Sequence, residues 1–322
     1  MKFNEIQKEL FEIKSDEDFA RIAFLVFKYQ YERIPIYKSY CDLLKKTPEK
    51  ITDIEQIPFL PIQFFKSHRI INESDQVDQV FSSSGTTGLA TSKHFISDIN
   101  IYIKSFLKGF DLAYPNWKNT TIIGLLPSYL EREGSSLIYM VDHLIKNTHN
   151  TESKFQLEIT DDFINFLENS DTPKIMFGVT FALLKMAEKG IKPKNTIIIE
   201  TGGMKGRGKE LTRSDLHHVL QKKLTPRAIH SEYGMTELLS QAYLKDSAFE
   251  CPSWMKVLLR EAADPFAITQ SGKGVINVID LANINSCSFI ATDDLGKLNI
   301  DGSFEVLGRL DYTQIRGCNL LI

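Results

Sequence analysis

Phe81-Ser82-Ser83-Ser84-Gly85-Thr86-Thr87-Gly88 packs five hydroxyls and two glycines into the seven residues that follow Phe81. Residues 79–82 are β-prone and lead into this run, and a helix-patterned segment at 98–112 follows within about ten residues. A strand that feeds a Gly/Ser/Thr loop and then a helix is the unit of an α/β layered fold. Glycine lets backbone N–H groups turn inward, and successive N–H groups form a nest for an anion. With the hydroxyls as further donors, Ser83, Ser84, Gly85, Thr86, Thr87 and Gly88 read as a phosphate-binding loop. The bland alternative is a flexible Ser/Gly turn. The run lacks the Gly-Lys-Ser/Thr ending of a Walker A loop.

Outward from this loop the same alternation continues. Strand-like runs at 121–126, 174–177, 196–200 and 227–231 alternate with helical patterns at 135–146, 161–168, 180–189 and 212–222. Several of the runs are almost wholly apolar, the mark of parallel strands buried on both faces. Upstream, Leu10, Phe11, Phe19, Ile22, Ala23, Leu25, Val26 and Tyr29 recur at helical intervals behind a Ser15/Asp18 capping pair. Downstream of Ser240, short strand-like runs at 257–259, 274–279, 288–292, 298–300 and 304–307 are divided by Gly, Asp and Asn. The expected organisation is a helical lobe over 1–76, an α/β nucleotide-binding core over 77–240 and a β-rich subdomain with its tail over 241–322, all one structural unit.

Composition narrows the class. The chain has 322 residues, 43% hydrophobic and 25% charged, with a net charge of -3 and no basic stripe, so no nucleic-acid partner is expected. No apolar stretch approaches the roughly 18 residues of a membrane span. Met1-Lys2-Phe3-Asn4-Glu5 shows no signal region, and Cys41, Cys251, Cys287 and Cys318 show no Cys-x-x-Cys spacing. A reduced, cytoplasmic setting follows.

Three further segments carry possible chemistry. Thr201-Gly202-Gly203-Met204-Lys205-Gly206-Arg207-Gly208-Lys209-Glu210 leaves one strand and enters a helix. Gly203 and Gly208-Lys209 match Gly-x-x-x-x-Gly-Lys, which raises a P-loop kinase as a rival. Glu210, however, stands where Ser or Thr should meet magnesium. A glycine-lined wall for a flat base and a surface turn are the other readings. Ser231-Glu232-Tyr233-Gly234-Met235-Thr236-Glu237 offers a ring to stack on a purine, a hydroxyl for a phosphate and a carboxylate for Mg²⁺. Finally, Thr292-Asp293-Asp294-Leu295-Gly296, Gly308-Arg309-Leu310-Asp311 and Arg316-Gly317-Cys318 close the chain. Asp294 is placed to hold ribose hydroxyls, although Asp-Asp-Leu-Gly in isolation reads as a turn.

In this order, the segments resemble the motifs of the adenylate-forming superfamily, which includes acyl-CoA synthetases, peptide-synthetase adenylation domains and firefly luciferase. The resemblance implies its N-terminal-domain fold, with parallel-strand sheets flanked by helices and a smaller β-rich subdomain. It also implies ATP and Mg²⁺. Ser84, Thr86 and Thr87 would hold the β- and γ-phosphates, and Gly202 and Gly203 would line the adenine under a stacked Tyr233. Thr236 would meet the α-phosphate, Glu237 the Mg²⁺, Asp294 the ribose and Arg309 the nucleotide near the hinge. Asp293 departs from the family's usual glycine.

The sequence ends eleven residues after Asp311, whereas most members continue into a mobile domain with a catalytic lysine. With that domain absent, the chain is similar to the acyl-protein synthetases of bacterial bioluminescence operons. These take an acyl group onto a cysteine near their C-terminus and pass it to a partner acyl reductase. From the residues alone Cys318 reads equally as a mobile nucleophile beside Arg316 or as a small apolar residue in a tail ending Leu320-Leu321-Ile322. The resemblance implies the nucleophile, a fatty or other carboxylic acid substrate and an acyl-accepting protein partner. Lys205, Arg207, Arg309 and Arg316 are then the candidates to replace the missing lysine. The remaining alternatives are transfer to CoA or a carrier-protein thiol, and a non-catalytic nucleotide-binding module.

Overall fold

The computed structural model describes residues 3–83, 91–126, 134–202 and 211–310, with side chains from Ile6 onward. The described parts fall into two compact units, one from Met1–Ser74 with Ser253–Ile322 and one from Asp75–Pro252.

The second unit holds the phosphate-loop segment. Its main sheet runs in the order 154–155, Thr121–Leu125, Lys174–Gly178, Thr196–Glu200, Ala228–Tyr233, Ala242–Leu244 and Phe249–Glu250. The first five strands are parallel, Ala242–Leu244 returns antiparallel to them, and Phe249–Glu250 pairs antiparallel with Ala242–Leu244. Every residue of Thr121–Leu125 and Lys174–Gly178 is buried, as a parallel strand covered on both faces requires. Helices Ile99–Ala113, Ser136–Asn147, Asp161–Asn169, Thr180–Glu188 and Arg213–Leu224 lie between the strands in sequence. Four of them begin on a capping side chain: Asp98, Ser135, Thr160 and Thr212 each accept a hydrogen bond from a first-turn N–H. The expected α/β alternation is thus present to within a few residues at each boundary.

Lys174 is buried at the start of its strand, where its ammonium donates to the carbonyls of Ser170, Thr172 and Lys194 at 2.6, 2.9 and 3.1 Å. One cation thereby ties three carbonyls from two stretches of backbone together at the amino ends of the strands.

The strand before the Ser/Thr/Gly loop and the helix after it are both present, with a second strand between loop and helix. Gln79–Ser82 pairs antiparallel with Lys93–Ile96, and the helix starts only after this second strand. Just beyond the paired residues, Ser83 N–H donates to Ser92 O at 3.0 Å and its hydroxyl accepts from Ser92 N–H at 2.9 Å.

In the first unit the expected capping pair forms: Ser15 Oγ accepts from Asp18 N–H at 3.1 Å and opens the helix Asp16–Arg33. The buried stripe of that helix is Phe19, Ile22, Ala23, Val26, Phe27 and, at the position where another apolar residue belongs, Gln30. Gln30 is fully buried and fully used. Its amide donates to Asn283 O, Ile284 O and Ser288 Oγ, each at 3.0 Å, and its carbonyl accepts from Ser288 N–H at 3.1 Å.

Ser288 leads into the strand Phe289–Leu298, which pairs with Gly272–Asp280 on one side and with Phe304–Arg309 on the other. The runs expected at 288–292 and 298–300 are therefore ends of one strand and a turn. Asp293 and Asp294 sit within the strand, and the turn is Asn299–Ser303, closed by Asn299 N–H to Ser303 O at 2.8 Å. The pairing with Phe304–Arg309 shifts register between Leu295 and Gly296, at a β-bulge.

Gln30→Leu removes the donor and acceptor groups that satisfy these buried carbonyls and the Ser288 N–H. A stability loss of about 2–4 kcal/mol is expected, read as a lower urea midpoint with an unchanged slope.

Candidate functional site

Glu200 ends a strand and is 4% exposed, yet it lies among polar partners rather than in the apolar core. Its Oε1 accepts from Thr180 Oγ1 and from Gly202 N–H, both at 2.7 Å, and its Oε2 accepts from Ser231 Oγ at 3.2 Å. These partners lie at or just past the carboxyl ends of three neighbouring parallel strands. His217 Nε2 sits 2.8 Å from Ser231 Oγ, and burial lowers its pKa. In open α/β sheets ligands bind beyond this end of the strands. Gly202 leaves the clamp at φ +75, a conformation that glycine adopts without strain.

One strand over, Glu200 pairs in register with Ser231, so Gly202 and Tyr233 both continue past the same edge. Tyr233 is 7% exposed and packs its ring against Phe249, over which Arg213 lies. Glu237 is buried. The carbonyl of Thr236 accepts from His94 Nδ1 at 2.9 Å. His94 is fully buried and stands directly across the strand pair from Phe81. This contact ties the antiparallel strand pair that leads to Ser83 to the Thr236 corner.

Between Tyr233 and Ser231 lies Glu232. Burial, and secondarily the charge of Glu200, raises its pKa to about 8. Its carboxyl curls over Gly234, so that Oε1 occupies the space a Cβ would take there.

In the first unit, Asp294 and Arg309 face each other across the antiparallel pair, and Arg309 Nε donates to Asp294 Oδ1 at 3.3 Å. Asp294 N–H donates to Thr292 Oγ1 at 3.1 Å. Asp293, where the family usually has glycine, accepts two hydrogen bonds from Gln63 Nε2, at 2.8 and 2.7 Å.

Ser84, Gly85, Thr86, Thr87, Gly88, Gly203, Lys205, Arg207, Arg316 and Cys318 lie outside the described residues. Of the other thiols, burial pushes Cys41 up to about 12 and raises Cys287 strongly, so neither is a ready nucleophile. Leu125, Leu126 and Met140 are core residues. Glu200 and His94 were not singled out from sequence. Glu200 closes an apolar run just before Gly202-Gly203, and that position was the available signal; nothing comparable marks His94. Among the described residues no helix is long and apolar enough to cross a membrane.

The fold is an α/β architecture of the type seen in the N-terminal domains of adenylate-forming enzymes. The structure resembles ATP-bound MatB from Rhodopseudomonas palustris with a TM-score of 0.52 at 15% identity, covering 74% of this chain and 49% of that one. It also resembles the N-terminal domain of FACL13 from Mycobacterium tuberculosis, with a TM-score of 0.51 at 14% identity over 74% of this chain and 62% of that one. The family model described as "Acyl-protein synthetase, LuxE" matches residues 11–322, and the chain belongs to that family. A long-chain-fatty-acid–luciferin-component ligase from Photorhabdus luminescens is 34% identical over 70 residues, which is 21% of this chain and 60% of that protein. The chain thus spans less than two thirds of each of these relatives.

Glu232 gives a pH signature. A carboxyl whose folded pKa is about 8, against 4.5 as its ordinary value, binds its proton more tightly in the folded state. Its contribution to stability is fully present below the ordinary value and is lost as pH rises toward 8. Urea unfolding between pH 5 and 8.5 should show a fall of roughly 2–4 kcal/mol from this group, and Glu232→Gln should flatten it.

Proposed function

We propose that this protein is an ATP-dependent acyl-protein synthetase. In this reading it activates a carboxylic acid, of fatty type, as acyl-AMP and then takes the acyl group onto Cys318 for delivery to an acyl-accepting protein, an acyl reductase by family analogy. The observation that carries the proposal is the family match over residues 11–322, within which the phosphate loop, the Tyr233–Glu237 corner, Asp294 and Arg309 occur in family order.

In the first step a carboxylate oxygen of the acid bonds to the α-phosphorus of ATP and pyrophosphate leaves. Ser83, Ser84, Gly85, Thr86, Thr87 and Gly88 hold the β- and γ-phosphates through N–H groups and hydroxyls, the donors that such charge needs. Gly202, Gly203 and Tyr233 bound the adenine, Gly234 keeps the backbone thin beside it, Asp294 takes the ribose hydroxyls and Arg309 approaches the nucleotide. Thr236 meets the α-phosphate, its backbone already fixed by His94. Mg²⁺ fits a single buried carboxylate beside substrate phosphates, the arrangement Glu237 offers, and when bound would neutralise phosphate charge.

In the second step the Cys318 thiolate attacks the acyl carbonyl, the C–O bond to phosphate breaks and AMP leaves with the electron pair. A thiolate is favoured by the cationic Arg316 two residues away.

Incubation with ATP, Mg²⁺ and radiolabelled acids tests both steps. The expected result is label retained on the denatured protein, released by hydroxylamine and missing from Cys318→Ser, which still releases pyrophosphate. Pyrophosphate without protein label would remove the Cys318 step and point to an external thiol. No pyrophosphate with any acid would overturn the activation itself.

A further inference from the structure

We propose that the Glu232 carboxyl and the Tyr243 hydroxyl form a polar subsite for the acid, and that the acid this protein activates carries a hydroxyl group on its chain. The inference rests on the reading above, in which the Tyr233–Glu237 corner holds the nucleotide.

Glu232 and Tyr243 are direct partners in the antiparallel pair, so their side chains leave the same face of the sheet. The contacts of Tyr243 say which face it is. Its ring lies 5.9 Å from Phe110 and 5.5 Å from Tyr114, on and just after the helix Ile99–Ala113. Tyr243 is 4% exposed, and among the described residues its hydroxyl has no hydrogen-bond partner. The neighbouring phenols are already engaged: Tyr102 OH donates to Ser136 O at 2.9 Å, and Tyr114 OH lies 3.0 Å from His230 Nδ1. A buried hydroxyl left unpaired costs stability that phenylalanine would not, so its presence calls for a partner that arrives later.

Glu232 supplies the second half. Burial first, and then the Glu232 charge, raises the Tyr243 phenol, which puts carboxyl and hydroxyl within electrostatic reach of each other. The Glu232 carboxyl also lies against the Gly234 backbone, two residues before Thr236. The subsite therefore borders the point where the acid must meet the α-phosphate. With its pKa raised to about 8, the carboxyl is largely protonated at neutral pH and donates as well as accepts. A neutral carboxyl and a phenol match a hydroxyl, which also does both. A bare methylene chain would leave the two groups unpaired, and an ammonium would require the ionised carboxylate that burial opposes.

The test is ATP–pyrophosphate exchange by the full chain with Mg²⁺ and acids of matched length, either unsubstituted or with a hydroxyl at the second, third or terminal carbon. At least one hydroxy acid should show kcat/KM about tenfold or more above its unsubstituted counterpart. Tyr243→Phe should bring that ratio to within about threefold without lowering the unfolding midpoint, because no hydrogen bond is lost in the free protein. Unsubstituted acids that match or exceed every hydroxy acid would overturn the proposal, as would a preference that survives in Tyr243→Phe. A lower midpoint in Tyr243→Phe would mean the hydroxyl is already bonded in the free protein, and would overturn it too. Exchange with no acid at all would instead sink the adenylation reading and the subsite with it.

Discussion

A buried carboxylate at a strand end is expensive to desolvate, and Glu200 survives there because each of its oxygens is met by a hydrogen bond. The arrangement of the strand-end site depends on this clamp. Thr180 belongs to the exit of one strand, Gly202 to the exit of the next and Ser231 to the strand beyond, so one side chain sets where three chain segments leave the sheet. His217 extends the network into the helix Arg213–Leu224. Removing the carboxylate would leave donors unpaired on three segments at once, whereas a leucine in its place would satisfy none of them.

Much of the second unit was legible because its strands are buried on both faces. Ile122, Ile123, Ile175, Met176, Ile198 and Ile199 form apolar runs too short for helices and are flanked by capping residues, and no other arrangement hides them as well. What was not legible shares one cause, since contacts made across the fold leave no periodic trace. His94 lies 142 residues from the Thr236 carbonyl it holds, and Lys93–Ile96 is a four-residue strand with little apolar signal. Asp293 and Asp294 read as a turn because aspartate disfavours strands. They are held in one by Gln63 and by Arg309, 230 and 15 residues away in sequence. Gln30 breaks an apolar stripe for the same kind of reason.

The relatives share architecture at 14–15% identity, a level at which the order of layers survives and the lining of a pocket need not. That separation is visible in the chain itself. The wholly buried strands could be exchanged for other apolar sequences with modest consequence. Glu232 and Tyr243 have no such freedom in the reading advanced here, because their oxygens are matched to what they bind rather than to the core. Two of the described thiols illustrate the converse: Cys41 and Cys287 are buried, and burial raises both above the ordinary thiol range, as suits core residues rather than nucleophiles.

The bulge opposite Leu295 and Gly296 has an arithmetic consequence. Gly296 faces Val306, and an unbroken count from there would set Asp294 against Gly308 and Asp293 against Arg309. The extra residue, Leu307, changes the parity, and Arg309 meets Asp294 instead. Adjacent strand residues point to opposite faces, so the arginine has been moved from the side of the sheet where Gln63 occupies Asp293 to the side where Asp294 stands. The choice between two chemically identical neighbours is made by counting, and losing one exposed leucine would reverse it without altering any charged group.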